Sequence, residues 1–246
     1  PLRGFDPDCV DALTARTRDL GVRLLKGHAL KAVERRGAEL LAHAEYAGGT
    51  ASLAADMAVH GAGRVPAVRE LDRAAAGIAQ ERGRISVNGY FQSLSNPAVY
   101  VAGDAGGRLP LTPVAGLEGR AAADNVVHGN HATVDYTGIP TAVFTSPALT
   151  RVGLLEDEAR AQGLRFRALQ GDAGEWYTAR RVNEPCYRYK IMVEEGSGRI
   201  LGAHIVGPDA AATINLFALA LRGGLAVQAL PAAEFPSPSA ASALSS

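Results

Sequence analysis

The apolar run Ala98-Val99-Tyr100-Val101-Ala102 ends abruptly in Gly103-Asp104. That junction constrains the fold more than any other stretch. Consecutive small and apolar residues read as a strand buried on both faces, as in α/β sheets. Gly103 lets another group approach the backbone closely, and Asp104 offers an acceptor for sugar hydroxyls. A Gly/Pro-rich loop over 105–110 then leads to Thr112-Pro113. This pair reads as a helix start, with Thr as the cap and Pro in the first turn, for a helix reaching about Val127. Ligands of open α/β sheets bind outside the carboxyl ends of strands, close to such helix starts. On these residues alone a ligand-facing turn and an ordinary Gly-Asp turn stand equally open.

Around this junction the chain reads as three blocks. In the first, Asp6-Pro7-Asp8 caps a helix whose residues Val10, Leu13, Thr14, Thr17 and Leu20 share one face, and Gly21 ends it. Val22–Leu25, Glu39–Ala44, Thr50–Leu53 and Asp56–His60 follow as short strands. The second block, from about Asn88 to Gly129, holds the junction. The third begins near Ile139, with strands at Thr141–Phe144, Ala148–Val152, Leu164–Gln170, Tyr187–Glu194 and Ile200–Val206. Its helices lie at Glu156–Gln162 and Ala210–Leu221, and Gly196-Ser197-Gly198 turns the last two strands. An α/β part followed by an antiparallel α+β part suggests separate units.

Composition narrows the function classes. The 25 Lys+Arg balance the 25 Asp+Glu, so the chain lacks the basic footprint of a general nucleic-acid binder. A hydrophobic share of 47% supports a sizeable core. Cys9 and Cys186 cannot build a disulfide framework, which points to a reducing, cytoplasmic setting. Apolar stretches such as Leu216–Leu221 are too short to span a bilayer. The chain opens on Pro1 rather than Met, which suggests processing or excision from something longer.

Several motifs taken together resemble the pyridine nucleotide–disulfide oxidoreductase family, which includes dihydrolipoamide dehydrogenase, glutathione reductase and mercuric reductase. Val99–Asp104, Leu111-Thr112-Pro113-Val114-Ala115 and Glu118-Gly119-Arg120 resemble the second flavin-binding segment. Asp56–Pro66 resembles the close of the nicotinamide domain. Ile139–Pro147, Val152-Gly153-Leu154 and Ile200–Gly207 resemble the dimerisation domain. The resemblance runs in this order along nearly the whole chain.

It implies an α/β remnant of nucleotide-binding domains plus a C-terminal α+β dimerisation domain with an antiparallel sheet. Residues 1–80 would be the latter part of the nicotinamide-binding domain, 81–135 the second FAD-domain segment and 136–246 the dimerisation domain. Gly103, Asp104, Leu111, Thr112, Pro113 and Ala115 would contact FAD, and Gly63 and Arg64 would lie near the nicotinamide cofactor, NAD(P)H. Homodimerisation and a partner N-terminal half are expected. The flavin-binding Gly-rich turn, its nicotinamide counterpart and the redox cysteine pair that such enzymes carry are not in this sequence, so the chain resembles the C-terminal half of one.

The family's His–Glu acid/base dyad falls on Phe235-Pro236-Ser237-Pro238-Ser239-Ala240. Phe235 stands at the His position and Ala240 at the Glu position, and neither side chain exchanges a proton. No catalytic residue is therefore assigned. Electron transfer from a nicotinamide through flavin to a quinone or other small acceptor needs no such dyad. The competing reading is a non-catalytic dimerisation module with a vestigial flavin site.

Other candidates carry less. Gly61-Ala62-Gly63 lacks a third glycine, and Pro66 opposes a pyrophosphate-binding helix, so it reads as a turn. His128 and His131 flank a loop without a third ligand, so no metal site is assigned. His204 reads as a structural histidine, and Cys9 and Cys186 as unreactive thiols.

Overall fold

A computed structural model describes residues 2–68, 70–81 and 83–242. Helix α1 (Pro7–Asp19) precedes strands β1 (Ala29–Arg36), β2 (Glu39–Tyr46) and β3 (Gly49–Ala55). A minimal hairpin, β4 (Gln80–Glu81) and β5 (Arg84–Ile85), leads toward α2 (Thr112–His128). Then come β6 (Thr141–Val143), β7 (Ala148–Gly153), α3 (Glu156–Ala161), β8 (Phe166–Asp172) and α4 (Tyr177–Arg181). Strands β9 (Arg188–Glu194) and β10 (Ile200–Gly207) and helix α5 (Ala210–Arg222) complete the set. Two compact units result. One takes residues up to 37, 41–54 and from 137 onward, the other 38–40 and 55–136.

The first unit is built on an antiparallel sheet in the order β6-β7-β10-β9-β8. Side chains alternate across a strand, and both faces are used. Ile191, Val193, Ala203 and Ile205 face α5, which contributes Ile214, Phe217 and Ala218. On the other face Leu149 and Val206 meet Cys9, Val10 and Leu13 of α1. Asp6 caps α1, its Oδ1 accepting from the backbone N–H groups of Asp8 and Cys9. Lys190, buried on the α1 side, has its Nζ 2.9 Å from Asp6 Oδ2, 2.6 Å from Asp8 Oδ2 and 2.9 Å from Glu156 Oε1. Burial alone disfavours the charged amine, but hydrogen bonds to the three carboxylates outweigh it and hold its pKa above the usual lysine range.

A separate three-stranded meander, β1-β2-β3, has few buried side chains, and every residue of β1 is exposed. Its sequence shows why it is hard to read. Lys31, Glu34, Arg35 and Arg36 break any apolar alternation, so the expected strand falls on β2 and β3 while β1 goes unpredicted.

The second unit is loop-rich. Val68, Ile85 and Val101 form its buried cluster, with Ile78, Val87, Val99 and Ala105 packed against them. The expected strands and helices of the third block and α1 lie where the sequence places them, within a residue or two, while the short helix α4 was not expected. Four expectations do not hold. Val22–Leu25 and Asp56–His60 form no strand, because neither finds a ladder partner among the described residues. Ala98–Ala102 is likewise not a strand: it makes one bridge, Tyr100 to Gln92, supported by the Ser93 N–H to Val99 and Val101 N–H to Phe91 bonds. Only Val101 of the run is buried, Val99, Tyr100 and Ala102 are half-buried and Ala98 is exposed, so the stretch lacks the two covered faces that a central strand needs. Thr112 is the first helical residue rather than the cap. Leu111, in extended conformation, holds the cap position and offers no side-chain hydrogen bond.

Candidate functional site

The Gly103–Ala105 turn is a single 3₁₀ turn lying against the first turns of α2. Gly103 has φ +69°, the left-handed region, and a Cβ there would sit 3.0 Å from Ala115 Cβ. Both conformation and space favour glycine. The Gly103 N–H donates to Glu118 Oε2 at 2.7 Å, and the Gly103 and Asp104 carbonyls accept from Gly106 and Gly107 N–H at 3.0 and 3.2 Å. The turn's backbone is thus bonded inward, while the Asp104 side chain stays 41% exposed.

Around Asp104 stands the start of α2. Because Leu111 cannot cap, the first-turn N–H groups gain no side-chain acceptor from it or from another described residue, which leaves the positive end of the helix dipole open. Thr112 and Pro113 are exposed, Leu111 and Ala115 half-buried, and Val114 buried. Arg64 joins the group. Its Nη2 lies 3.3 Å from Asp104 Oδ2 and donates to the Pro110 carbonyl at 3.2 Å. Gly63, at φ +98°, borders open space. The structure therefore brings Gly103, Asp104, the α2 start and Arg64 together.

Residues that sequence reasoning missed hold this loop. Arg84 Nη1 donates to the Gly107 carbonyl at 2.9 Å, and a Cβ at Gly107 would meet Arg84 Cδ at 2.1 Å. Arg108 Nη2 donates to the Asn88 carbonyl at 2.8 Å, and its guanidinium stands 5.2 Å from the Phe91 ring centroid and 5.8 Å from that of Tyr136. Tyr136 donates its O–H to Glu118 Oε1 at 2.6 Å. One signal could have found Glu118. It shares the inner stripe of α2 with Val114, Ala122 and Asn125, all buried, so an acid sits at a core position of helical spacing.

The other candidates are elsewhere. Phe235 is half-buried and Ala240 buried, and neither offers an ionisable group. His128 Nδ1 and His131 Nε2 both address Asp124, at 2.8 and 2.9 Å. His204 is fully buried, with Nε2 3.1 Å from the Leu154 carbonyl and Nδ1 without a hydrogen-bond partner among the described residues. Burial, the largest cause, pushes its pKa down to about 4 and keeps the ring neutral. Burial likewise pushes the Cys186 thiol up to about 11 and the Cys9 thiol higher still, so both stay protonated and non-nucleophilic. Among the described residues no helix is long and apolar enough to cross a membrane.

Comparison with known proteins agrees along the chain. The family model for pyridine nucleotide-disulphide oxidoreductase matches residues 1–119, and that for the dimerisation domain of the same family matches 139–246. An uncharacterized 19.7 kDa protein in the mercuric resistance operon of Staphylococcus aureus is 40% identical over 167 residues, covering 67% of this chain and 93% of that protein. Glutathione reductase of Burkholderia cepacia is 32% identical over 90% of this chain and 49% of its own length. Mercuric reductase of Bacillus cereus is 30% identical over 92% of this chain and 36% of its own. Among solved structures, the HOCl-induced flavoprotein disulfide reductase RclA of Escherichia coli superposes with a TM-score of 0.87 at 28% identity, covering 99% of this chain and 55% of that one. The chain thus spans about half, or less, of the reductases it matches.

Proposed function

The chain belongs to the pyridine nucleotide–disulphide oxidoreductase family, and we propose that it supplies the C-terminal portion of an FAD-dependent, NAD(P)H-linked oxidoreductase whose electron acceptor is not a disulfide. The observation that carries this reading is the exposed Asp104 carboxylate beside the uncapped start of α2. The residues fit a flavin. Gly103, lacking a Cβ, lets the turn close onto Ala115, Asp104 has a second carboxylate oxygen to accept from ribityl hydroxyls beside the one that faces Arg64, and the open helix end favours negative charge. When bound, FAD supplies hydride acceptance from a nicotinamide and onward electron transfer. Asp104 would orient the ribityl chain, and the α2 start would stabilise charge on the reduced ring.

The choice of acceptor rests on the C-terminal segment. Phe235 and Ala240 stand where the family's acid/base pair is expected, and neither can protonate a leaving thiolate. A quinone or similar small acceptor needs no such group. Residues 139–246 would form the homodimer contact.

The test is uptake of FAD by the purified chain, followed by flavin fluorescence. Weak binding is expected, reduced about tenfold in Asp104→Ala by loss of a charge-assisted hydrogen bond. Equal binding by both would refute the assignment of Asp104. No uptake at all would favour a non-catalytic dimerisation module with a vestigial flavin site.

A further inference from the structure

Glu118 is the only buried carboxylate among the described residues of its unit, at 1% exposure. No lysine or arginine of the described residues pairs with it; one oxygen takes the Gly103 N–H and the other the Tyr136 O–H. A buried acid is expensive unless its oxygens are hydrogen-bonded, and an apolar residue at the same position on α2 would pack at lower cost. What the carboxylate adds is direction. It draws the Gly103 N–H into the helix face, which leaves Asp104, the next residue, on the outer side. Tyr136 keeps its proton for this bond, since burial first, then the hydrogen bond to Glu118, push its pKa up to about 12.

We propose that Glu118 is the positioning residue of the candidate flavin seat, holding the Gly103–Asp104 turn from behind while Tyr136 fixes the carboxylate. This rests on the reading of Asp104 as a flavin contact. Glu118 does not touch the ligand. It acts through Gly103, whose left-handed conformation and lack of Cβ let the turn lie this close to Ala115.

Amide hydrogen exchange at Gly103 and Asp104, read by NMR on the 246-residue chain, tests this without flavin, and FAD titration of the same samples tests the link to the seat. In Glu118→Ala the Gly103 amide is expected to exchange about tenfold faster or more, the equivalent of one lost buried hydrogen bond. The sheet amides of Ile205 and Val206 should not change. Glu118→Gln restores most of the protection, because its amide oxygen can accept the Gly103 N–H and its nitrogen can donate to the Tyr136 oxygen. Tyr136→Phe falls between, and FAD affinity follows the same order. Unchanged Gly103 exchange in Glu118→Ala overturns the proposal. So does a loss spread evenly over the chain that Glu118→Gln does not rescue. If Glu118→Ala does not fold, Tyr136→Phe decides on the same amide, and parent-like exchange there overturns it. Protection lost with FAD affinity unchanged overturns the positioning role. Absence of FAD uptake by the parent chain is distinguishable from all of these and overturns the underlying flavin reading instead.

Discussion

In the unit built on the five-stranded sheet, strands and α5 bury Ile191, Val193, Ile205, Ile214 and Phe217 in one cluster. In the other unit the described residues bury a smaller set, the cluster of Val68, Ile85 and Val101 together with Phe91, Val114 and Ala122. What that smaller core lacks is supplied by side chains bonded to backbone. Asn125, 1% exposed, donates to the Tyr90 and Ala132 carbonyls and accepts from the His131 and Ala132 N–H groups. Arg84, Arg108 and Glu118 pin the 103–108 loop. Each such bond contributes only about 0.5–1.5 kcal/mol net, but each fixes a direction. A scaffold can rely on non-directional burial. A loop that must present Asp104 in one orientation needs directional bonds, which is why sites sit on pinned loops.

Breaking the apolar side of this contrast has the largest expected effect. Phe217→Ala should cost about 3–5 kcal/mol, read as a lowered urea midpoint. A cost below about 1 kcal/mol would show that the α5 cluster is not the main support of its unit.

A pH titration sharpens the same side. The His204 pKa is about 4 when folded against 6.5 ordinarily. Below pH 6.5 the unfolded chain therefore takes up a proton that the folded chain refuses, and stability falls as pH drops from about 6.5 toward about 4. The slope should approach about 1.4 kcal/mol per pH unit in that window. Urea midpoints at several pH values should show this in the parent, with a flatter profile in His204→Leu. Identical slopes would remove His204 as the cause.

The smallest expected effect lies in the pinned loop. Gly103→Ala must adopt φ near +69° against Ala115, for about 1 kcal/mol of lost stability. Proteolysis within the 103–110 loop should rise before the midpoint of the sheet unit moves. If both move together, the two units do not differ in kind.

Legibility followed burial. Strands β9 and β10 were readable as short runs buried at nearly every position, β7 and β8 as short segments bounded by turn residues, and helix α5 because its apolar residues repeat at helical spacing. Strand β1 was not, since all its residues are exposed and no period is imposed on them. Ala98–Ala102 misled in the opposite direction: its residues are apolar, but no neighbouring strand completes a ladder. Thr112 misled because Thr-Pro looks like a cap and first turn, while the backbone places the cap one residue earlier. At the site, the Gly103-Asp104 junction and the α2 start were legible as adjacent features. The roles of Arg84, Arg108 and Tyr136 were not, since each depends on a partner distant in sequence.

The amino-acid order alone determined that a glycine–aspartate turn precedes a helix with proline in its first turn, and that an antiparallel α+β region follows, because these are written in local spacing and backbone preference. Only the tertiary structure decided that the helix end is uncapped, that Lys190 gathers Asp6, Asp8 and Glu156, and that Glu118 holds Gly103 from behind. Those facts depend on which groups lose water together, and desolvation is a property of the packed molecule rather than of any short segment.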